Sequence, residues 1–146
     1  MKARKHKMKK VFSCILIFAA IIALTQPVFA AQQPTIDPQY TNATAAYVAL
    51  SISSSGTATV TVTCRGNSNL KSASVTTYLE KKVAGAWIRV DISVDSDAWV
   101  YSTTSQAFSK SYSAQLSGSG LYRAVANFTL TASTVEHITD ISNATY

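Results

Sequence analysis

Residues 57–64 alternate without a fault, with Ala58, Val60, Val62 and Cys64 on one parity and four threonines on the other. A backbone with a side-chain period of two is a strand with one buried face. Threonine suits the wet side, because its branched Cβ favours extended backbone. Residues 118–130 repeat the pattern after a Gly-Ser-Gly turn. There Tyr122, Ala124, Ala126, Phe128 and Leu130 share one parity, while Arg123, Asn127 and Thr129 take the other.

The same reading yields strands over residues 47–52, 72–82, 86–91, 107–114 and 135–141, with a short edge strand over 99–101. Ala73, Val75, Thr77 and Leu79 form the inward parity of 72–82; Phe108 and Tyr112 share a parity of 107–114. Two arrangements fit 86–91: Ile88 and Val90 face inward with Trp87 and Arg89 outside, or Trp87 caps the core edge. The run 135–141 has the weakest pattern, diluted by His137, Thr139 and Asp140. No proline follows Pro38, no apolar period of 3.6 appears, and turn residues recur every ten or so positions. The expectation is an all-β, antiparallel β-sandwich of about seven or eight strands.

The first thirty residues have a different composition. Lys2, Arg4, Lys5, Lys7, Lys9 and Lys10 precede an uncharged run over residues 11–24, and Val28-Phe29-Ala30 places small residues three and one before a cut after Ala30. This is the pattern of a secretory signal peptide, helical in its apolar part and shorter than the ~20 residues of a membrane span. Residues 31–43, with Pro34 and Pro38, read as a flexible leader, and 44–146 as one sandwich domain. The cut removes the formal charge of +6, since seven basic and seven acidic side chains remain after Ala30. No phosphate-binding footprint survives, which excludes nucleic acid as the expected partner. Cys14 precedes most of the apolar run, unlike the cysteine of a lipoprotein signal. The residues before Tyr146 carry no wall-sorting motif or hydrophobic tail, so release or non-covalent retention outside the cell is expected. Membrane contact is expected only through the signal peptide during export.

Gly120, Tyr122 and Ala124 are similar to the start of strand F in an immunoglobulin-type sandwich, where the tyrosine lies two residues before the second cysteine of the inter-sheet disulfide. By that likeness Ala124 occupies the cysteine position opposite Cys64, one thiol facing one methyl group. More broadly, the chain resembles short exported proteins of Gram-positive bacteria with an immunoglobulin-like sandwich and no assigned function. The likeness rests on the signal, on Leu79, Glu80, Lys81 and Lys82 followed by Gly85, Ala86 and Trp87, on the Ser109 to Tyr112 run, on Gly120 to Arg123, and on Glu136. It implies the fold and export, and carries over no catalytic residues.

Chemistry finds few footholds. His137 is the only histidine after Ala30, no Gly-x-Ser-x-Gly turn occurs, and Asp140, three residues on from His137, is the carboxylate with which a triad can be imagined. Cys64 shares its parity with apolar residues and is expected to be a buried, protonated packing group. One cysteine and one histidine cannot make a zinc site. Asp91, Asp95 and Asp97 are the acidic cluster that would suit calcium in a loop at the end of a sandwich, although their spacing does not match an EF-hand. Trp87, Trp99 and Tyr101 are the candidate ligand-binding residues, because an i, i+2 pair of rings shares one face of a strand and can stack on a sugar. The expected function is a non-enzymatic, exported interaction module, without a cofactor, meeting a protein or glycan at the cell surface; the alternative is a carbohydrate-binding module with that aromatic platform, ordered by calcium. Amino-terminal sequencing of the exported protein is expected to begin at Ala31, and a start at Met1 would instead indicate a retained anchor.

Overall fold

The computed structural model describes residues 40–93 and 96–146. The expected helical signal peptide and most of the expected leader lie outside the described residues, as does Asp95. Eight strands follow in order: β1 (Ala43–Ile52), β2 (Thr57–Gly66), β3 (Ser72–Val83), β4 (Ala86–Val90), β5 (Trp99–Thr103), β6 (Ala107–Gln115), β7 (Leu121–Thr131) and β8 (Val135–Thr145). They form two antiparallel sheets packed as a sandwich. The smaller has the order β1-β2-β6; the larger has the order β4-β3-β7-β8, with β5 also pairing β3.

This is the immunoglobulin-like arrangement of strands A, B and E against C′, C, F and G. The strand in the D position has moved: β5 pairs with residues 73–77 of β3, while β4 pairs with residues 79–83. Two short strands therefore lie end to end along one edge of the larger sheet. The hairpin joining β3 to β4 turns through Ala84 (φ +49°) and Gly85 (φ +89°). Positive φ at both turn residues matches the twist of a two-residue hairpin, and Gly85 adopts it without a steric penalty.

The alternating residues form the core. Ala58, Val60, Val62 and Cys64 from β2 are fully buried, and Val75, Thr77, Leu79, Tyr122, Ala124, Ala126, Phe128 and Leu130 close over them from β3 and β7. The Tyr122 hydroxyl donates to the carbonyls of Gly118 (2.7 Å) and Ser117 (3.2 Å), which fixes the approach to β7. A tyrosine hydroxyl bonded to backbone a few residues upstream is the tyrosine corner of immunoglobulin-like domains. The domain also starts earlier than residue 44. The Glu136 carboxylate accepts from the N–H groups of Thr41 (2.8 Å) and Asn42 (2.7 Å), and Asn42 is buried with its side-chain amide donating to the carbonyls of Leu130 and Thr134.

Ala124 does not lie opposite Cys64, contrary to the expectation from strand F. The Val48 N–H donates to Asp140 (2.7 Å) and the Leu50 N–H to Ser142 (3.1 Å). Across β8, Asp140 pairs with Ala126 and Ser142 with Ala124; across β1, Val48 pairs with Val62 and Leu50 with Val60. Val60 is therefore level with Ala124, whereas Cys64 lies four residues further along, near Phe128. At about 3.3 Å per residue that separation is about 13 Å along the strand, too far for a disulfide.

Cys64 is a free, buried thiol. Burial pushes its pKa up from 9.0 to about 11. Since the folded value exceeds the unfolded one, this group's contribution to stability is intact below about pH 9 and is lost as pH rises through about 11. In Ala124→Cys both thiols are expected to stay reduced under aerobic oxidation and to resist alkylation at pH 8 until the protein is unfolded. Val60→Cys with Ala124→Cys, in a Cys64→Ala background, is the pair expected to close. Intact-mass analysis checks both; a native crosslink between Cys64 and the thiol introduced at position 124 would contradict the register.

Candidate functional site

The register of β3 separates the three aromatic candidates. Trp99 pairs with Thr77 and Tyr101 with Val75, both inward positions, so the two rings lie on the inner side of the larger sheet. There they meet β6. Trp99 stacks on Tyr112 (centroids 5.0 Å apart, planes 7° apart), and Tyr101 tilts against Phe108 at 5.2 Å. Lys110 Nζ reaches over the Tyr101 ring at 4.7 Å. Burial pushes the Tyr112 phenol up, and neighbouring Tyr101 adds to the shift. Four half-buried rings thus fill the seam where β5 and β6 approach without a backbone ladder.

Trp87 lies elsewhere. It pairs with Lys82, which is on the outward parity of β3, so the indole belongs to the outer face of the larger sheet. Of the two arrangements open for residues 86–91, the structure has Trp87 and Arg89 outside. Val90 packs against the core, and Ile88 is exposed beyond it. No single platform contains Trp87, Trp99 and Tyr101.

On that outer face the structure assembles a group that the sequence did not single out. The Arg123 guanidinium lies 4.3 Å from the Trp87 ring centroid, and its Nε donates to Glu80 Oε2 at 2.5 Å. Lys82 Nζ approaches the same indole at 5.8 Å. One register step away, Arg89 Cζ sits 3.7 Å from the Tyr78 centroid while Nη1 donates to Asp97 Oδ2 at 3.0 Å. The Asp97 hydrogen bond holds the Arg89 guanidinium above its ordinary pKa. Each arginine is therefore gripped by a ring and a carboxylate together. The exposed Arg89–Asp97 pair contributes little alone, about 0–1 kcal/mol. The more enclosed Arg123–Glu80 pair and the two stacks, about 0.5–1 kcal/mol each at exposed sites, fix the orientation of the group. Val125 is buried on this face beside Tyr78, its partner across the ladder.

His137 and Asp140 do not converge. His137 is exposed, with Nδ1 3.2 Å from Thr129 Oγ1, whereas Asp140 has the opposite parity and accepts the Val48 N–H. A histidine and a carboxylate on opposite faces of one strand do not form a relay. Asp91 is exposed at the end of β4 and Asp97 is engaged with Arg89. Among the described residues no three His, Cys, Asp or Glu side chains gather as a metal site. No protein-family model, curated protein or solved structure matches the chain.

Glu80, Lys82 and Arg123 were legible as outward residues, but their meeting with Trp87 depends on β3 lying between β4 and β7. Arg123→Ala is expected to leave Glu80 unpaired, lower stability by about 1–2 kcal/mol, and change the Trp87 contribution to fluorescence. Denaturant melts of Arg123→Ala, and spectra compared in a Trp99→Phe background, check both effects. An unchanged indole signal would show that the stack does not form in solution.

Proposed function

We propose that the protein is an exported, non-enzymatic interaction module of the cell envelope or extracellular space, and that its contact face is the outer side of the β4-β3-β7-β8 sheet. One observation supports this reading: Trp87, Arg123, Arg89 and Tyr78 form a pre-oriented group on an open surface. Tryptophan, tyrosine and arginine are the side chains that most often dominate binding energy at interfaces; the two aromatic ones bring large area with few rotatable bonds. Here the rings and guanidinium planes already hold each other in place, so less ordering remains to be done on binding. Export is supported by the basic and apolar pattern of the first thirty residues.

The three-ring carbohydrate platform loses its support, since Trp99 and Tyr101 are committed to the seam with Tyr112 and Phe108. Co-sedimentation of the purified protein with isolated Gram-positive envelopes tests the proposal. Wild type is expected in the pellet, and Trp87→Ala and Arg89→Ala are expected to weaken retention roughly tenfold or more. Thr61→Ala, on the outer face of the other sheet, should leave it unchanged. Equal retention of all four proteins would overturn the assignment of the face.

A further inference from the structure

The same outer face changes character along its length. Below Tyr78 the strands supply Ser72 and Ser74 from β3, Ser102 from β5, Thr104 just beyond it, and Thr129 and Thr131 from β7. These side chains line a cleft of about 350 Å3. Its volume lies at the lower end of the ~300–1,000 Å3 found for small-molecule sites. The register explains the convergence: Ser74 pairs with Ser102 on one side and Thr129 on the other, and Ser72 pairs with Thr131.

The condition of these hydroxyls sets the cleft apart from the serine and threonine rows of the smaller sheet. In those rows three of the four cross-strand pairs bond one another, Thr61 to Ser111 at 2.9 Å, Thr63 to Ser109 at 3.1 Å and Thr57 to Gln115 at 3.1 Å, and Thr59 opposite Ser113 is the exception. In the cleft Thr129 is engaged by His137. The hydroxyls of Ser72, Ser74, Ser102, Thr104 and Thr131 have no hydrogen-bond partner among the described residues. No charged side chain lines the cleft.

We propose that this cleft binds a neutral polysaccharide, whose chain continues along the sheet towards Tyr78 and Trp87. A serine or threonine hydroxyl donates one hydrogen bond and accepts two, so it can answer a sugar hydroxyl in either orientation. A charged ligand would find no counter-charge in the cleft, and a protein partner would find no apolar pocket for an anchoring side chain. From Ser72 to Lys82 the face runs about 33 Å at about 3.3 Å per residue, long enough for several sugar units. The inference rests on the outer face being the contact face, and it names the ligand class.

The test is retention of the purified protein on cellulose, chitin and α-glucan beads. Wild type is expected to bind at least one of them and to stay bound in 1 M salt, because neutral contacts are not screened. Ser74→Ala with Ser102→Ala, checked by an unchanged melting midpoint, is expected to weaken that binding about tenfold. A second variant, Ser74→Arg, should block the cleft and abolish it. Envelope binding that persists without retention on any neutral bead would overturn the glycan assignment and leave the contact face standing. So would envelope binding destroyed by protease treatment of the envelopes. If Trp87→Ala leaves both envelope and bead binding intact, the choice of face itself fails.

Discussion

The two sheets depend on how the outer edge of β1 is covered. An edge strand leaves alternate N–H and C=O groups without ladder partners, and a buried, unsatisfied one costs about 1–3 kcal/mol. β1 does not join β8 as a ladder. Instead, Glu136, Asp140 and Ser142 reach across from β8 and accept from the N–H groups of Thr41, Asn42, Val48 and Leu50. Three polar side chains on the inward parity of β8 thus do the work of a missing strand. An apolar β8 would have packed well and left those donors stranded.

The opposite seam is closed by a different kind of force. Between β5 and β6 the contacts are ring on ring, and Lys110 rises between Phe108 and Tyr112 to lie over Tyr101. A lysine directed inward on an edge strand discourages another chain from extending the sheet, because pairing there would trap its charge. The neighbouring edge is split between two five-residue strands, β4 and β5. Short edges offer little template for a further strand. These features leave the outer face of the larger sheet, more than any strand edge, as the surface open to a partner.

Parity made most of this fold legible in the sequence. All eight runs read as strands are strands, and the inward sets of β2, β3 and β7 are the core. The weak reading of β8 has a physical reason: Glu136 and Asp140 break the apolar rhythm because they bond backbone across the seam, and nothing local in the sequence announces a distant edge that needs acceptors. Register was harder still. Tyr122 makes the corner that a strand F tyrosine makes, but the step from Ala124 to Cys64 required knowing which residue of β2 is level with which of β7. Trp87 was found as a candidate, while its companions Arg123 and Glu80 lie 36 and 7 residues away and meet it only through the β4-β3-β7 order.

Composition alone also conceals how differently the two sheets use the same residues. Serine and threonine cover both outer faces, and a count would call the faces alike. On the smaller sheet the β2 and β6 columns face one another at ladder spacing, and most of their hydroxyls bond in cross-strand pairs. On the larger sheet, Ser72 and Ser74 pair with residues of β5 and β7 whose hydroxyls line a cleft without bonding across it. Water must satisfy those groups in the free protein, and a ligand that replaces the water with its own hydroxyls loses little enthalpy while releasing solvent. Both seams are already closed, and the arginines above the cleft are already held by rings and carboxylates. A ligand on this face meets fixed geometry, so selectivity there follows from the spacing of the strands rather than from a rearrangement on binding.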